Sequence, residues 1–241
     1  MDLNRVRELE GVLERDGALV IGSMTRQRAL ERGPEVARAC PLLAEAVRWV
    51  GHVAIRNRGT VGGSLAHADP AAELPAVASA LGAEVQVRGP RGDRTLGAAE
   101  LFVMPLVTSL APDELLVSVT FPRKPPRTGH AWVEVARRHG DFALAGAAAA
   151  VSLDEHGAAR DARLALAGVG PVPLDASSEA ASLAGNELTA AAIEHVATRA
   201  AGLCEPPSDV HASSAYRRRL VRVLVRRALT LAAGRAAADA G

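Results

Sequence analysis

Ile55-Arg56-Asn57-Arg58-Gly59-Thr60-Val61-Gly62-Gly63-Ser64-Leu65-Ala66-His67-Ala68-Asp69-Pro70 is the stretch from which the fold is read. A Gly-Gly pair between hydroxyl residues lets a backbone come close to a phosphate-bearing group, because glycine adopts positive φ without a Cβ clash. Gly62 and Gly63 are therefore expected to turn with positive φ and to offer bare N–H groups to an anion such as a pyrophosphate, with Thr60 and Ser64 adding hydroxyl donors. The plainer reading of the same residues is a hairpin turn or a bulge, and T-x-G-G-S alone does not separate the two. Just downstream, Ala71 to Leu81 reads as a helix opened by Asp69-Pro70, with Asp69 as its N-cap. The positive end of that helix would face the region of the Gly-Gly turn.

Working outward, a short strand is expected at Asp2 to Asn4 and another at Ala18 to Ile21, whose Gly22-Ser23-Met24-Thr25 leads to a helix. Glu35 to Cys40 and Pro41 to Val50 have helical composition, and Pro41 suits a first turn. Alternation at Glu84 to Arg88 and at Leu115 to Phe121 predicts strands, with a turn over Gly89 to Arg94. Pro122 to Gly129 is rich in proline and cations and reads as a linker. Beyond it, Ala131 to Ala136, Ala145 to Leu153 and Arg160 to Ala167 form three antiparallel strands. Two helices, Thr189 to Cys204 and Ser213 to about Ala233, are expected to cover them. The fold class is thus α+β, divided into residues 1–124 and 128–236. The last helix carries an apolar stripe of Leu220, Val221, Leu224, Val225 and Ala228. Its other faces, with Arg217, Arg218, Arg219, Arg222, Arg226 and Arg227, read as solvated or partner-facing.

Composition narrows the function. The chain has 241 residues, 49% of them hydrophobic, enough for a good core in two lobes. No apolar run reaches the ~18 residues that span a bilayer, and the N-terminus lacks a signal-peptide core, which predicts a cytoplasmic protein with no membrane span. A net charge of +1 and 2% aromatic residues give no reason to expect nucleic acid. Cys40 and Cys204 are too few and too far apart to hold an iron–sulfur cluster or a disulfide framework, and are expected to be buried and unreactive. The seven histidines form no metal-ligand spacing, and Gly62-Gly63-Ser64-Leu65-Ala66 lacks the last glycine of a nucleophile elbow.

From Ile55 to Pro75 the chain resembles the pattern I-R-N-x-G-T-x-G-G-[NS]-x-x-x-A-x-P-x-[AS]-[DE] of the FAD-binding medium subunits of molybdenum hydroxylases, the family of aerobic carbon monoxide dehydrogenases and xanthine dehydrogenases. The resemblance continues at Ala80-Leu81-Gly82-Ala83, Glu114-Leu115-Leu116, Arg137-Arg138-His139-Gly140-Asp141-Phe142-Ala143 and Pro207-Ser208-Asp209-Val210-His211-Ala212. It implies the remainder of a PCMH-type FAD-binding domain, followed by a domain like the C-terminal one of carbon monoxide dehydrogenase flavoproteins. Family members begin with a βαβ lobe whose A-G-G-x-[ST]-L-like loop is the main pyrophosphate cradle. This sequence starts at the strand that follows that lobe, so the resemblance implies half of the flavin site.

Carried over by position, the resemblance makes Thr60, Gly62, Gly63 and Ser64 the pyrophosphate- and ribityl-side contacts, and Glu73 the acidic residue on polar flavin groups. Val50, Gly51 and Ile55 become contacts along the cofactor, and Leu116 an apolar wall. Asp69 belongs to the same segment as a contact or a plain cap, and His67 as a surface residue. Val133 stands where some relatives have a lysine near the flavin, so no cationic contact is implied there. The Arg137 to Asp141 group is expected at an interdomain or subunit boundary. Function follows by implication: an oxidoreductase subunit binding FAD, which receives electrons from 2Fe-2S clusters on a small subunit after substrate oxidation on a molybdopterin-binding large subunit. The alternative is a docking subunit, or a truncated chain, that no longer binds FAD.

Overall fold

In the computed structural model, which describes residues 2–239, the expected strand at Asp2 to Asn4 is absent. Asp2 Oδ1 instead accepts the backbone N–H and the side-chain amide of Asn4, at 2.9 and 2.7 Å, bending the chain into a turn. Strands β1 (Val12–Arg15) and β2 (Ala18–Gly22) form a hairpin around Asp16-Gly17, both with positive φ. That Asp-Gly pair is the local signal for β1, a strand beyond those expected from alternation.

Short helices α1 (Gln27–Arg32), α2 (Pro34–Ala39) and α3 (Pro41–Ala46) follow, the last two opened by proline at the first helical position. Helix α3 ends at Ala46, four residues before the expected Val50, and turns carry the chain on to α4 (Val53–Arg56). Helix α5 (Val61–His67) occupies the glycine segment, and α6 (Glu73–Leu81) begins two residues later than expected. Asp69 does not cap α6. The N-cap position is Ala72, and Asp69 Oδ1 accepts the N–H of Ala71 at 2.8 Å in a tight turn ahead of the helix.

Strands β3 (Glu84–Gly89) and β4 (Gly92–Gly97) make a second hairpin, so the segment read as a turn is largely strand. The single turn α7 (Ala98–Leu101) leads to the small hairpin β5 (Phe102–Met104) and β6 (Val107–Thr108), and then to β7 (Leu115–Pro122). The antiparallel order is β1-β2-β7-β3-β4, with β7 inserted between the two hairpins.

The second sheet contains β8 (Thr128–Val135), β9 (Ala145–Leu153), β10 (Ala159–Ala167) and a two-residue β11 (Leu174–Asp175), in the order β11-β10-β9-β8. Four strands therefore replace the expected three. Pro171 and Pro173 beside β11 hid it, since proline argues against a strand. After the single turn α8 (Ser177–Ala180), helices α9 (Ala190–Leu203) and α10 (Ser214–Ala238) are capped by Thr189 and Ser213, whose hydroxyls accept the N–H groups of Ala192 and Tyr216.

Helices α9 and α10 cover only one face of this sheet, where Ala147, Ala149, Leu164 and Leu166 pack with Val196, Val221, Leu224 and Val225. The other face, through Trp132, Ala148, Ala165 and Ala167, joins the core of the first lobe with Leu42, Leu43, Leu74 and Val77. Every residue of β9 is buried for that reason, and its run of alanines lets both layers approach. Among the described residues no helix is long and apolar enough to cross a membrane.

Candidate cofactor site

Helix α5 changes the reading of the Gly-Gly pair. Neither Gly62 nor Gly63 has positive φ, and both lie in the first helical turn, after Thr60 as N-cap. Their amides are engaged within the chain. Val61 N–H donates to Thr25 O at 3.0 Å, Gly62 N–H to Ser23 O at 2.8 Å, Gly63 N–H to Thr60 Oγ1 at 3.0 Å and Ser64 N–H to Thr60 O at 3.1 Å. The expected bare amides are thus spoken for by the helix start and by a bridge to the 23–25 segment. What glycine supplies at position 62 is clearance: a Cβ there would lie 2.5 Å from Ser23 Cβ and 2.9 Å from its Cα.

This close docking shapes a cleft of about 200 Å³ lined by Thr60, Gly62, Gly63 and Leu116, together with Ser23, Met24 and Leu110. Four of the residues expected at the cofactor come together here from segments far apart in sequence. Ser23 is 4% exposed, and its hydroxyl has no hydrogen-bond partner. An orphaned donor beside an apolar wall fits the polar edge of a ring or chain better than it fits solvent. Thr60 Oγ1 accepts from Gly63 and still holds a proton to donate. The hydroxyls of Ser23 and Thr60 fit the polar groups of a flavin nucleotide.

Val50 and Gly51 occupy a turn, and Ile55 the following helix α4, that Arg56 ties together. Its Nη1 donates to the carbonyls of Val50 and Gly51 at 2.9 and 2.8 Å, and its Nε to Glu31 Oε2 at 2.8 Å. Arg28 completes the cluster on Glu31 at 2.5 Å, and these guanidiniums hold the Glu31 carboxyl down at about 2. Buried Arg56 was missing from the expected site. Its position inside the I-R-N string was a visible signal, but its carbonyl partners are a tertiary fact. Half of Ile55 is exposed above this turn. The Arg137 to Asp141 stretch meets the turn from the second lobe: His139 stacks on Trp49 with centroids 5.3 Å apart, and Gly140 abuts Gly51.

Ser64 and Glu73 line neither this cleft nor the next one. Glu73 opens α6 at 3% exposure. Burial, and then the neighbouring Glu134 carboxyl, push it up to about 8. Burial likewise raises Glu134 to about 7 against the opposing pull of the Trp132 Nε1–H, which donates to its Oε2 at 2.9 Å, while Oε1 has no partner. Asp69 stands apart, on a cleft of about 240 Å³ between the lobes with exposed Phe142 and with Arg217.

Arg217, expected on a solvated face, is 5% exposed; it donates to Leu144 O at 2.7 Å and pairs with Asp209 at 2.6 Å. His67 is exposed, as expected. Cys40 and Cys204 are buried, and burial pushes both thiols up to about 12. No cluster suited to a metal ion occurs among the described residues.

Fold and site define a class: an α+β protein of two packed sheet-and-helix lobes with clefts beside α5 and between the lobes. Residues 1–124 match the family described as FAD binding domain in molybdopterin dehydrogenase, and residues 130–232 match the CO dehydrogenase flavoprotein C-terminal domain. The chain is 40% identical over 236 residues to the 6-hydroxypseudooxynicotine dehydrogenase complex subunit alpha of Paenarthrobacter nicotinovorans, covering 98% of this chain and 80% of that relative. It is 35% identical to the carbon monoxide dehydrogenase medium chain of Hydrogenophaga pseudoflava, covering 98% and 82%. The solved carbon monoxide dehydrogenase from Hydrogenophaga pseudoflava superposes with a TM-score of 0.94 at 36% identity, over 97% of this chain and 81% of that one. Quinoline 2-oxidoreductase from Pseudomonas putida 86 gives 0.91 at 34%, over 98% and 81%. The chain belongs to the family of FAD-binding medium subunits of molybdenum hydroxylases, and is a subunit of an oxidoreductase.

Proposed function

We propose that this chain is the electron-transfer subunit of such a complex, working between a small subunit with 2Fe-2S clusters and an external acceptor, with substrate oxidised on a molybdopterin-binding large subunit. Bound FAD supplies the redox chemistry. The residues of this chain position it: Thr60 and Ser23 donate hydroxyl hydrogen bonds, Gly62 and Gly63 keep the cleft clear of side chains, and Leu116 walls it. Arg56 sets the turn of Val50 and Gly51, with Ile55 of α4 beside it, along the cofactor. Ser64 and Asp69 belong to the outer part of the site, and Glu73, buried behind the clefts, keeps its proton at neutral pH. The division into residues 1–124, which hold the cofactor, and 128–236, which back it, is part of this reading.

The carrying observation is the convergence of Thr60, Gly62, Gly63 and Leu116 on one cleft with the unpartnered Ser23 hydroxyl. The chain, co-expressed with its partner subunits, is desalted and titrated with FAD while flavin fluorescence is followed. Stoichiometric retained flavin is expected. Ser23→Ala should weaken binding about tenfold while leaving the flavin-free chain as stable or more stable by about 1 kcal/mol, since it deletes an unsatisfied buried hydroxyl. A complex that assembles without flavin would instead mark a docking subunit.

A further inference from the structure

Along the outer side of α10, Arg218, Arg219, Arg222 and Arg226 face α9 across two adjoining basins of about 420 and 350 Å³, and Arg219 and Arg222 line both. Among the described residues Glu194 is the only carboxylate in either lining, and it is shared: Arg222 pairs with it closely, and Arg226 lies at 3.4 Å. Arg218 donates to Cys204 O, while among the described residues Arg219 has no ion pair. Four guanidiniums against one carboxylate leave an excess of about three positive charges, in a chain whose net charge is only +1. Cations at three- and four-residue spacing on one helix repel one another, so local stability does not account for the row.

The floor between the arginines is small and apolar: Ala201, Gly202 and Ala215. Such a floor admits a helix at close range. Arg219, Arg222 and Arg226 are spaced i, i+3 and i+7, which places them about 4.5 and 10.5 Å apart along the axis, the repeat of one face of a second helix. Among the described residues that line the basins none is aromatic, which speaks against single-stranded nucleic acid.

We propose that this groove docks an acidic helix of a partner subunit, with carboxylates at i, i+3 or i+4, and i+7 paired to Arg219, Arg222 and Arg226. The inference rests on the reading that the chain works inside a multisubunit complex. The test is phenylglyoxal footprinting of arginines, read by mass spectrometry, on the free chain and on the complex co-purified with its partner subunits. Modification of these three arginines should slow about tenfold or more on assembly, as for desolvated interface guanidiniums. A chain carrying R219E, R222E and R226E, shown folded by circular dichroism, should recover its partners poorly, whereas the corresponding lysine variant should recover them at low salt and lose them as salt rises.

Equal modification in free chain and complex, with charge reversal leaving partner recovery intact, would overturn the docking proposal while leaving the electron-transfer reading standing. Protection of the free chain by a short nucleic acid duplex, with none by the partner subunits, would overturn it in favour of a nucleic-acid surface. Failure of the unaltered chain to bind any partner would bring down both.

Discussion

Beside α4 the carboxylate of Glu31 lies between the guanidiniums of Arg28 and Arg56, whereas at the junction of the two sheets Glu73 and Glu134 lie near each other with no ion pair to either among the described residues. The residue type is the same in both places, but its ionisation goes opposite ways: down to about 2 for Glu31, up to about 8 and 7 for the junction pair. At the junction burial sets the sign, alone for Glu134 and with the Glu134 carboxyl adding to it for Glu73, because among the described residues no paired cation opposes it. At Glu31 the Arg56 and Arg28 guanidiniums outweigh burial and hold the carboxylate.

The sharpest way to break the comparison is to remove the cation. Arg56→Met leaves Glu31 and the carbonyls of Val50 and Gly51 without their donor, and should cost about 3 kcal/mol in urea unfolding, as for one partner taken from a largely buried pair. A loss below about 1 kcal/mol would mean that the loop carrying Val50 and Gly51 is held by other contacts.

The pH dependence of stability tests the other side of the comparison. Glu73 and Glu134 have folded-state values above the ordinary 4.5, so the folded chain keeps protons that the unfolded chain releases. Their contribution is complete below about pH 4.5 and is lost as pH rises through about 7 and 8. Glu31 runs the other way, contributing above 4.5 and losing that as pH falls through about 2. Stability should therefore drop between pH 5 and pH 9, by up to about 7 kcal/mol if both protons are released, and a Glu73→Gln, Glu134→Gln chain should show a flatter profile. An unchanged slope in that variant would show the pair ionised throughout.

The smallest effect expected is that of Trp132→Phe, about 1 kcal/mol, through loss of the indole donor to Glu134. With its one opposing contact gone, Glu134 should titrate at higher pH still, which nuclear magnetic resonance of the labelled carboxyl can follow.

Much of this architecture was legible locally. The strand at Ala145–Leu153, the helices after Thr189 and Ser213, and the Thr60 to Ser64 string announce themselves by composition, caps and motif. Other features were not. The Gly-Gly pair read as a positive-φ turn because glycine licenses one, yet Thr60 offered the competing N-cap, and the approach of Ser23 made glycine necessary for clearance. Ser23 and Arg56 escaped notice as site residues because an orphaned hydroxyl and a pair of bonded carbonyls exist only after distant segments meet. Arg217 looked like its solvated neighbours on α10, but the helix phase turns it under Leu144 and towards Asp209.

By itself the sequence determined which segments are helix and which are strand over most of the chain, and, through one long string, the family. Periodicity, capping residues and a motif are properties of neighbours along the chain, so they survive without any fold. Only the tertiary structure decided that β7 sits between two hairpins, that the second sheet is covered on both faces, and that Glu73 and Glu134 hold protons where Glu31 does not. Those outcomes depend on the charges and surfaces brought within a few ångströms by packing, and sequence distance says nothing of them.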